Sequence, residues 1–363
     1  MIKAFKYRLY PNTVQQQYFA KHFGCARWVY NFGLEQKVKA HTQENKKNLS
    51  VFDLTNMLVP LKIEFPWLKD VNSQSLQASL RNLDTAFTKF FSKKANFPKF
   101  KNKSSKQSFQ CPQGVKVAFE HGKISFPKIK DVKIILHRPF EGKIKTVTVS
   151  RTAAGKYFAS ILVDNSDPEP VAIVPDINQS IGVDLGIKDF AILSTGEKIA
   201  NPRLIKTTKK KLARAQRSLS RKKKGSSNRN KVRHKVALVH EKLTNQRKDF
   251  QHKLSNRLIS ENQAVCLEDL AVINLLKNRR LSRHISDVAW SQFRSFCTYK
   301  AAWSGKAVKV IGRFEPSSKM CNICGTINRG LKLTDRVWTC ECGAVHDRDI
   351  LAAKNILNFA FVK

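Results

Sequence analysis

The sequence predicts a multidomain α+β protein, and three observations indicate this. With 363 residues the chain exceeds what one small core accommodates, so we expect about two to four modules. The period of the apolar residues changes along the chain between helical and alternating, which predicts separate helical and β modules. Four of the eight cysteines lie within residues 321–342, as in a small metal-bound module.

The first part of the chain is predicted to be a strand followed by helices. Basic and apolar residues alternate through residues 3–9, which is typical of a strand with one basic face. Thr13 and Gln16 have the spacing of a capping box, which predicts that a helix begins there. A second helix is expected from about Ser73 to Phe91, because leucine and phenylalanine recur there at helical steps.

An antiparallel β module follows. Short alternating segments are separated by glycines and begin at residue 115; they are residues 115–119, 123–126, 132–136, 145–149 and 157–163. We expect the first strand to join their sheet, with the helices as an insertion. Residues 164–176, rich in proline and acid, are the predicted linker to the next module.

Residues 180–193 are predicted to form a strand hairpin that carries an acid. The apolar residues of its first strand share one face, and Asp184 lies on the other face between Gly182 and Gly186. Glycines on both sides of a strand residue leave room for a ligand or another backbone to come close.

A further strand, at residues 264–270, carries two acids near its end, Glu268 and Asp269. Helix 287–304 and strand 307–314 are expected next, and a short helix that begins near Asp349 is expected to end the chain.

The charge indicates a polyanionic partner. Lysine and arginine number 67 against 27 aspartate and glutamate, a formal net charge of +40. Residues 203–235, predicted as the first part of a helical hairpin, carry fifteen lysines and arginines and no acid. A solvated face is the usual explanation of a charge run, but like charges at this density repel one another unless phosphates lie among them.

We expect a cytosolic protein that does not enter a membrane. No leading signal segment and no apolar run of membrane-spanning length is apparent. Cys25, Cys111, Cys266 and Cys297 stand singly among apolar residues, so we interpret them as buried free thiols of a reducing compartment.

The grouped cysteines predict a structural zinc site. Cys321 and Cys324 form one close pair, and Cys340 and Cys342 form the other. The second pair has a one-residue spacer instead of the usual two, which leaves His346 or a water as a possible fourth ligand.

Three acids are candidates for a catalytic site: Asp184 within a strand, Glu268 at a strand end and Asp349 at the start of the last helix. Their oxygens are the ligands that Mg²⁺ prefers, and two such ions can promote phosphodiester hydrolysis. This order of acids on strands and a final helix is the layout of RNase H-like nucleases. The neighbouring acids Asp189, Asp269 and Asp347 are interpreted as caps or supporting groups, with Asp347 the closest competitor of Asp349.

Several motifs together resemble the TnpB (OrfB) proteins of insertion sequences, over nearly the whole chain. They are Gly182-Val-Asp184-Leu-Gly, Leu267-Glu268-Asp-Leu, Lys277-Asn-Arg-Arg-Leu, Ser286-Asp-x-x-Trp290, Pro316-Ser-Ser-Lys-x-Cys321-x-x-Cys324-Gly, Trp338-Thr-Cys340 and His346-Asp-Arg-Asp349. The resemblance implies an RNA-guided DNA endonuclease related to the miniature type V CRISPR effectors. It implies a guide RNA, a RuvC triad of Asp184, Glu268 and Asp349 with Mg²⁺ or Mn²⁺, and a zinc ribbon held by Cys321, Cys324, Cys340 and Cys342.

The resemblance also implies a division into modules. They are a wedge β-barrel of residues 1–10 and 113–172, a helical recognition module of residues 11–112, a RuvC-like nuclease of residues 173–318 and 345–363 and a zinc-ribbon insert of residues 319–344. The basic hairpin of residues 203–260 would lie along the guide–target duplex. Gln74, Gln77 and Gln110, near the recognition helices, are candidates to read base edges of a short DNA motif, although most surface amides have no such role.

The expected function is RNA-guided cleavage of double-stranded DNA by a protein of a transposable element in a bacterial or archaeal cytosol, near the nucleoid. Two alternatives stay open at this stage. One is a strand-transferring transposase with the same fold, in which the acids usually run Asp, Asp, Glu. The other is a nuclease-inactive regulator that binds nucleic acid through the zinc ribbon.

Overall fold

The computed structural model describes residues 1–42, 48–332 and 334–362. The chain divides into two compact units, Met1–Pro168 and Glu169–Lys363. Their boundary lies inside the linker predicted at residues 164–176. The finer division into four modules stays a prediction.

The first unit contains a seven-stranded antiparallel sheet. Alternation of apolar and polar residues buries one face: along the strand that begins at Tyr157, every second side chain is buried. The strands are β1 (Ile2–Tyr10), β2 (Gln107–Cys111), β3 (Lys116–Ala118), β4 (Lys123–Phe126), β5 (Ile129–Ile135), β6 (Lys143–Arg151) and β7 (Tyr157–Asp164). Their order is β2-β6-β7-β1-β5-β4-β3, so the first strand joins the later ones as predicted.

Helices of the same unit pack beside the sheet and around a leucine-rich core. They are α1 (Thr13–Thr42), α2 (Val51–Asn56), α3 (Leu58–Glu64) and α4 (Ser73–Phe91), with a 3₁₀ turn at Pro66–Asp70. The predicted capping box is one residue off. Asn12 caps α1: its Oδ1 accepts from the Gln15 backbone N–H at 2.9 Å, and its own N–H donates to Gln15 Oε1 at 3.0 Å.

The predicted closed barrel is wrong, because the sheet is open. In the described part of the chain β2 and β3 each pair with one neighbour only. Helix α4 lies over β2: Asn82 Nδ2 donates to Gln110 Oε1 at 3.1 Å, and Ser75 Oγ lies 3.7 Å from Cys111 Sγ. A helix thus covers one edge of the sheet, and the other edge ends in a three-residue strand.

The second unit contains a five-stranded mixed sheet. Its strands are β8 (Ser180–Leu185), β9 (Asp189–Leu193), β10 (Lys198–Ala200), β11 (Ala264–Glu268) and β12 (Ala307–Ile311), in the order β10-β9-β8-β11-β12. Strands β8, β11 and β12 are parallel, whereas β9 and β10 continue the sheet as antiparallel strands. The predicted hairpin of residues 180–193 is confirmed as β8 and β9.

Helices surround this sheet. The basic hairpin consists of α5 (Leu204–Ser220) and α6 (Ser227–Glu261), and Ser226 caps α6 by accepting from the Arg229 N–H. The others are α7 (Val272–Leu275), α8 (Ser282–Val288), α9 (Trp290–Trp303) and α10 (Arg348–Phe359), and a short antiparallel pair, β13 (Val337–Thr339) and β14 (Val345–Asp347), precedes α10. None of the helices in the described residues is long and apolar enough to cross a membrane.

The four single cysteines are buried and free, as predicted. Burial raises the pKa of each thiol, to about 11 for Cys25 and Cys111 and to about 12 for Cys266 and Cys297. They therefore act as small apolar side chains rather than as reactive groups.

Candidate active site and metal centre

Asp184 and Glu268 lie side by side at one edge of the second sheet. The register pairs Val183 of β8 with Leu267 of β11, and Asp184 and Glu268 are the next residues of these two parallel strands. Neighbouring residues of parallel strands that share a register place their side chains on the same face. The sheet therefore brings together two acids that are 84 residues apart in the sequence.

Helix α10 brings Asp349 to the same place by packing directly against β8. Gly182 makes the close approach possible: a Cβ there would stand 2.0 Å from the Ala353 carbonyl oxygen and 2.9 Å from Leu357. The room predicted beside Gly182 is thus taken by the backbone of α10. Because Asp349 is in the first turn of that helix, the packing carries it toward the strand acids.

Asp184 is electrostatically coupled to both of the other acids, which agrees with the placement by the sheet and the helix. Burial, followed by the charges of Glu268 and Asp349, raises the pKa of Asp184 from 3.8 to about 7, against a smaller opposing effect of Arg348. Burial and the charge of Asp269 raise the pKa of Glu268. Crowded carboxylates of this kind are stabilised by a divalent cation, whose positive charge reverses the repulsion.

The three acids are less tightly clustered than the cysteines. In the described part of the chain only the four grouped cysteines have ligand atoms that all lie within 4.8 Å of one another. The carboxylate oxygens of the acids are nevertheless the donors that divalent ions such as Mg²⁺ prefer.

Neighbouring acids have other contacts. Asp347 caps α10, since its Oδ1 accepts from the backbone N–H groups of Asp349 at 3.0 Å and Ile350 at 3.2 Å. Asp269 forms ion pairs with Arg294 at 3.0 Å and Arg313 at 2.6 Å. These contacts support the interpretation of Asp347 and Asp269 as structural groups around the site.

Arg336 is a site residue that sequence reasoning missed. Its Nη1 donates to both carboxylate oxygens of Asp349, each at 3.2 Å. It immediately precedes β13, within the predicted ribbon. No periodicity or spacing marks it, because the contact depends on how the ribbon packs against the start of α10.

The four cysteines form a compact thiolate cluster. Cys324 Sγ lies 3.4 Å from Cys340 Sγ, and Cys321 Sγ lies 3.8 Å from Cys342 Sγ. A tetrahedral zinc ion with bonds of about 2.3 Å would separate its sulfurs by about 3.8 Å, so the cluster fits the ion. Hydrogen bonds with Thr326 lower the pKa of Cys324 to about 6, which favours the thiolate that a metal requires.

His346 lies beside this cluster. Its Nε2 is 3.1 Å from Cys321 Sγ, and its ring packs against Trp338, with centroids 4.9 Å apart. The one-residue spacer does not prevent Cys342 from joining the other three sulfurs. His346 is therefore placed to donate to the Cys321 thiolate, a contact that fixes the orientation of a metal ligand.

The candidate base-reading glutamines lie in the first unit. Gln74 Nε2 donates to Gln113 Oε1 at 3.0 Å, and Gln110 accepts from Asn82. Gln110 also lines a cavity of about 400 Å³ together with Arg27 and Lys101. Gln77 is half-buried on α4. A role in reading DNA stays a prediction.

Three family profiles match parts of the chain. A profile of OrfB proteins of IS605-type elements, described as a probable transposase, matches residues 160–279, and one described as a Cas12f1-like TNB domain matches residues 290–356. A third, described as a helix-turn-helix domain, matches residues 1–47. Over its described residues that segment is a strand followed by one uninterrupted helix.

The fold resembles that of Cas12f1, and the sequence places the chain in a family. A cryo-EM structure of a Cas12f1–sgRNA–target DNA complex aligns over 99% of both chains with a TM-score of 0.61 and 14% identity. A putative RNA-guided DNA endonuclease of Streptomyces pristinaespiralis is 44% identical over 98% of this chain and 88% of its own length. Another, InsQ of Escherichia coli K12, is 32% identical over 98% and 92%. The chain belongs to the TnpB (OrfB) family of insertion-sequence RNA-guided nucleases.

Proposed function

We propose that this protein is an RNA-guided DNA endonuclease of a transposable element, and that it cuts DNA with Asp184, Glu268 and Asp349. The observation that carries the active-site proposal is the convergence of these three acids from two strands and a helix. The family membership and the names of the relatives support RNA guidance and DNA as the target. The protein would act on DNA in the cytosol of a bacterium or archaeon.

The second unit would then be the nuclease, with an RNase H-like RuvC fold. Its mixed sheet, with an antiparallel hairpin beside parallel strands, supports this. The open sheet of the first unit would be the wedge and helices α1–α4 the recognition module. Gln74 and Gln77 of α4 and Gln110 of β2 would read a short DNA motif. The basic hairpin of α5 and α6 would lie along the guide–target duplex.

Asp184, Glu268 and Asp349 would hold Mg²⁺ or Mn²⁺. Such ions activate water and stabilise the leaving oxygen in phosphodiester hydrolysis. The residues of the chain set the geometry: the sheet fixes Asp184 and Glu268, and the cap formed by Asp347 fixes the first turn of α10 and hence Asp349. The ion pairs of Asp269 with Arg294 and Arg313 hold the end of β11.

Cys321, Cys324, Cys340 and Cys342 would hold a structural zinc ion. Four protein ligands leave no open position, so this ion would stabilise the ribbon and take no part in hydrolysis.

Replacement of Asp184 by Ala tests the active site. We expect the variant to keep its guide RNA and its binding to matched DNA but to lose cleavage, because a ligand of the ions is gone. The measurement is cleavage of a plasmid matched to the guide, with binding followed by gel shift. Asp249→Asn is a matched control that neutralises an exposed acid of α6 and should keep cleavage. Undiminished cleavage by the Asp184 variant would contradict the assignment.

The same assay distinguishes a strand-transferring transposase, which the description of one matching profile suggests. Hydrolysis leaves linear plasmid with free 3′ ends, whereas strand transfer joins a donor end to the target. If joined products form and their formation requires Asp184, the protein is a strand-transferring transposase, and the proposal of hydrolysis is wrong.

A further inference from the structure

A second nucleic-acid surface is indicated by a segment that neither metal centre involves. Residues 85–119 contain eight lysines and no arginine, aspartate or glutamate. Phenylalanines are interspersed among these lysines. Basic residues combined with aromatic rings are the composition of surfaces that bind single-stranded nucleic acid.

Three phenylalanine rings between residues 91 and 100 are exposed although they are large and apolar. Phe91, Phe97 and Phe100 are 73%, 46% and 61% exposed. Lys93, Lys94, Lys99 and Lys103 are exposed in the same stretch of sequence, and within the described residues none of these four forms an ion pair with an acid. We refer to these seven side chains as the aromatic–lysine surface. Exposed apolar rings interspersed in sequence with unpaired lysines suit a partner that is both aromatic and anionic.

The fold holds part of this surface in place. Asn31 of α1 clamps the backbone of Lys101 in both directions: its Nδ2 donates to the Lys101 carbonyl at 2.8 Å, and its Oδ1 accepts from the Lys101 N–H at 2.8 Å. The ammonium group of Lys101 also lies 3.5 Å from the centre of the Tyr30 ring. Phe100, the residue before this clamp, is therefore presented to solvent from a fixed backbone.

The neighbouring rings and turn are also ordered by local contacts. Phe97 packs edge-on against Phe87 and Phe90, with centroids 5.6 Å and 5.3 Å apart. Asn102 Oδ1 accepts from the backbone N–H groups of Ser104 and Ser105 at 3.0 Å and 3.1 Å. The amide oxygen of Asn102 is thus engaged within the turn and fixes its backbone.

We propose that the aromatic–lysine surface binds single-stranded DNA by stacking unpaired bases on Phe91 and Phe100 while the lysines contact phosphates. Every base has a stacking face, so such a surface tolerates any sequence. This inference rests on the proposed function, in which pairing of the guide with one DNA strand leaves the other strand unpaired. The absence of acids from residues 85–119 disfavours a second copy of this basic chain as the partner.

Photocrosslinking tests the location directly. The full chain with its guide RNA and the Asp184→Ala change is incubated with matched DNA whose displaced strand carries 5-iododeoxyuridine, and crosslinked peptides are mapped by mass spectrometry. We expect crosslinks in the peptides that contain Phe91 and Phe100. Crosslinks confined to other peptides would overturn the proposal. Since this variant is not required to cut DNA, the result is independent of the active-site assignment.

Binding of oligonucleotides by the same variant tests the chemistry. Replacement of both Phe91 and Phe100 by Ala should weaken binding of oligo-dT at least about tenfold, because each stacked base contributes substantially, and should leave the salt dependence unchanged. Replacement of Lys99 and Lys103 by Gln should instead lower the slope of log K against log salt by about one to two.

Phe52→Ala is the matched control. Phe52 is also 73% exposed in the same unit, but it lies beside Asp53 and outside the basic segment. This variant should bind oligo-dT like the parent. An equal loss of oligo-dT affinity in the Phe52→Ala variant and in the variant with both Phe91 and Phe100 replaced would overturn the proposal. A loss of affinity for oligo-rU without a loss for oligo-dT would overturn it as well. Thermal melting of each variant establishes that the fold is kept.

Discussion

The two candidate metal centres are built in opposite ways. The thiolates come from 22 consecutive residues, Cys321 to Cys342, and two short turns bring them together. The acids come from Asp184, Glu268 and Asp349, and only the pairing of β8 with β11 and the packing of α10 on β8 unite them. A local centre can therefore be predicted from the spacing of residues in the sequence, whereas a distributed centre forms only through the tertiary structure of the whole second unit.

The change with the largest expected effect removes a ligand from the local centre of thiolates. Cys342→Ser should remove zinc from the ribbon and unfold it, because structural zinc contributes about 10–16 kcal/mol of binding free energy in small zinc modules. Metal analysis of the purified chain should fall from about one zinc ion per chain to a small fraction. Glu341→Ser, one residue away, should keep the ion. Full zinc retention by the Cys342 variant together with loss in His346→Gln would make His346 the fourth ligand.

A change at Gly182 should damage the distributed centre and leave the local one intact. Gly182→Ala places a Cβ 2.0 Å from the Ala353 carbonyl, so α10 must shift away from β8. Overpacking of this kind costs about 1–3 kcal/mol or more, and the shift moves Asp349. We expect a lower melting temperature and weaker Mn²⁺ binding, measured by electron paramagnetic resonance, with normal zinc content. Gly325→Ala, in the ribbon, is the opposite control: any effect of this change should fall on the zinc content and not on Mn²⁺ binding. Unchanged Mn²⁺ affinity in the Gly182 variant would show that α10 does not position the acid.

The pH dependence of metal binding should also distinguish the centre of acids from the centre of thiolates. Because the pKa of Asp184 is raised to about 7, its proton competes with a divalent cation. We expect Mn²⁺ affinity to fall about tenfold per pH unit below neutrality and to level off above it.

The same shift predicts a change of stability without metal. The folded-state pKa of Asp184 lies above its ordinary 3.8, so its favourable contribution is complete below that pH and is lost as the pH rises toward about 7. Asp184→Asn should therefore raise the melting temperature of the metal-free protein above neutral pH. Identical melting curves for the two proteins across this range would contradict the electrostatic coupling.

Arg336 tests whether the two centres communicate. Its ion pair with Asp349 competes with cations for that carboxylate, so Arg336→Gln should tighten Mn²⁺ binding by the nucleic-acid-free protein a fewfold. Arg329→Gln, an exposed arginine of the ribbon, is the matched control. Weaker Mn²⁺ binding in the Arg336 variant would instead mean that the arginine positions Asp349 for the ions.

Particular residues show where sequence reasoning reached its limit. The capping box was predicted from Thr13 and Gln16, yet Asn12 and Gln15 form it, because both pairs have the same spacing and only the backbone geometry selects one. The closed barrel was wrong because strand periodicity does not say what covers a sheet edge, and here α4 covers β2. The cap formed by Asp347 supports Asp349 rather than Asp347 as the third acid of the site, a distinction that spacing alone does not make.

The sequence by itself determined the charge, the alternation of modules, the grouped thiols and the three candidate acids, since these follow from composition, period and spacing. Only the tertiary structure decided that Asp184, Glu268 and Asp349 are neighbours, that Arg336 reaches Asp349 and that Phe100 is held in solvent beside a clamped backbone. The reason is physical: local patterns record how a residue relates to its near neighbours in the chain. Contacts between distant segments are set by packing, which no single pattern contains.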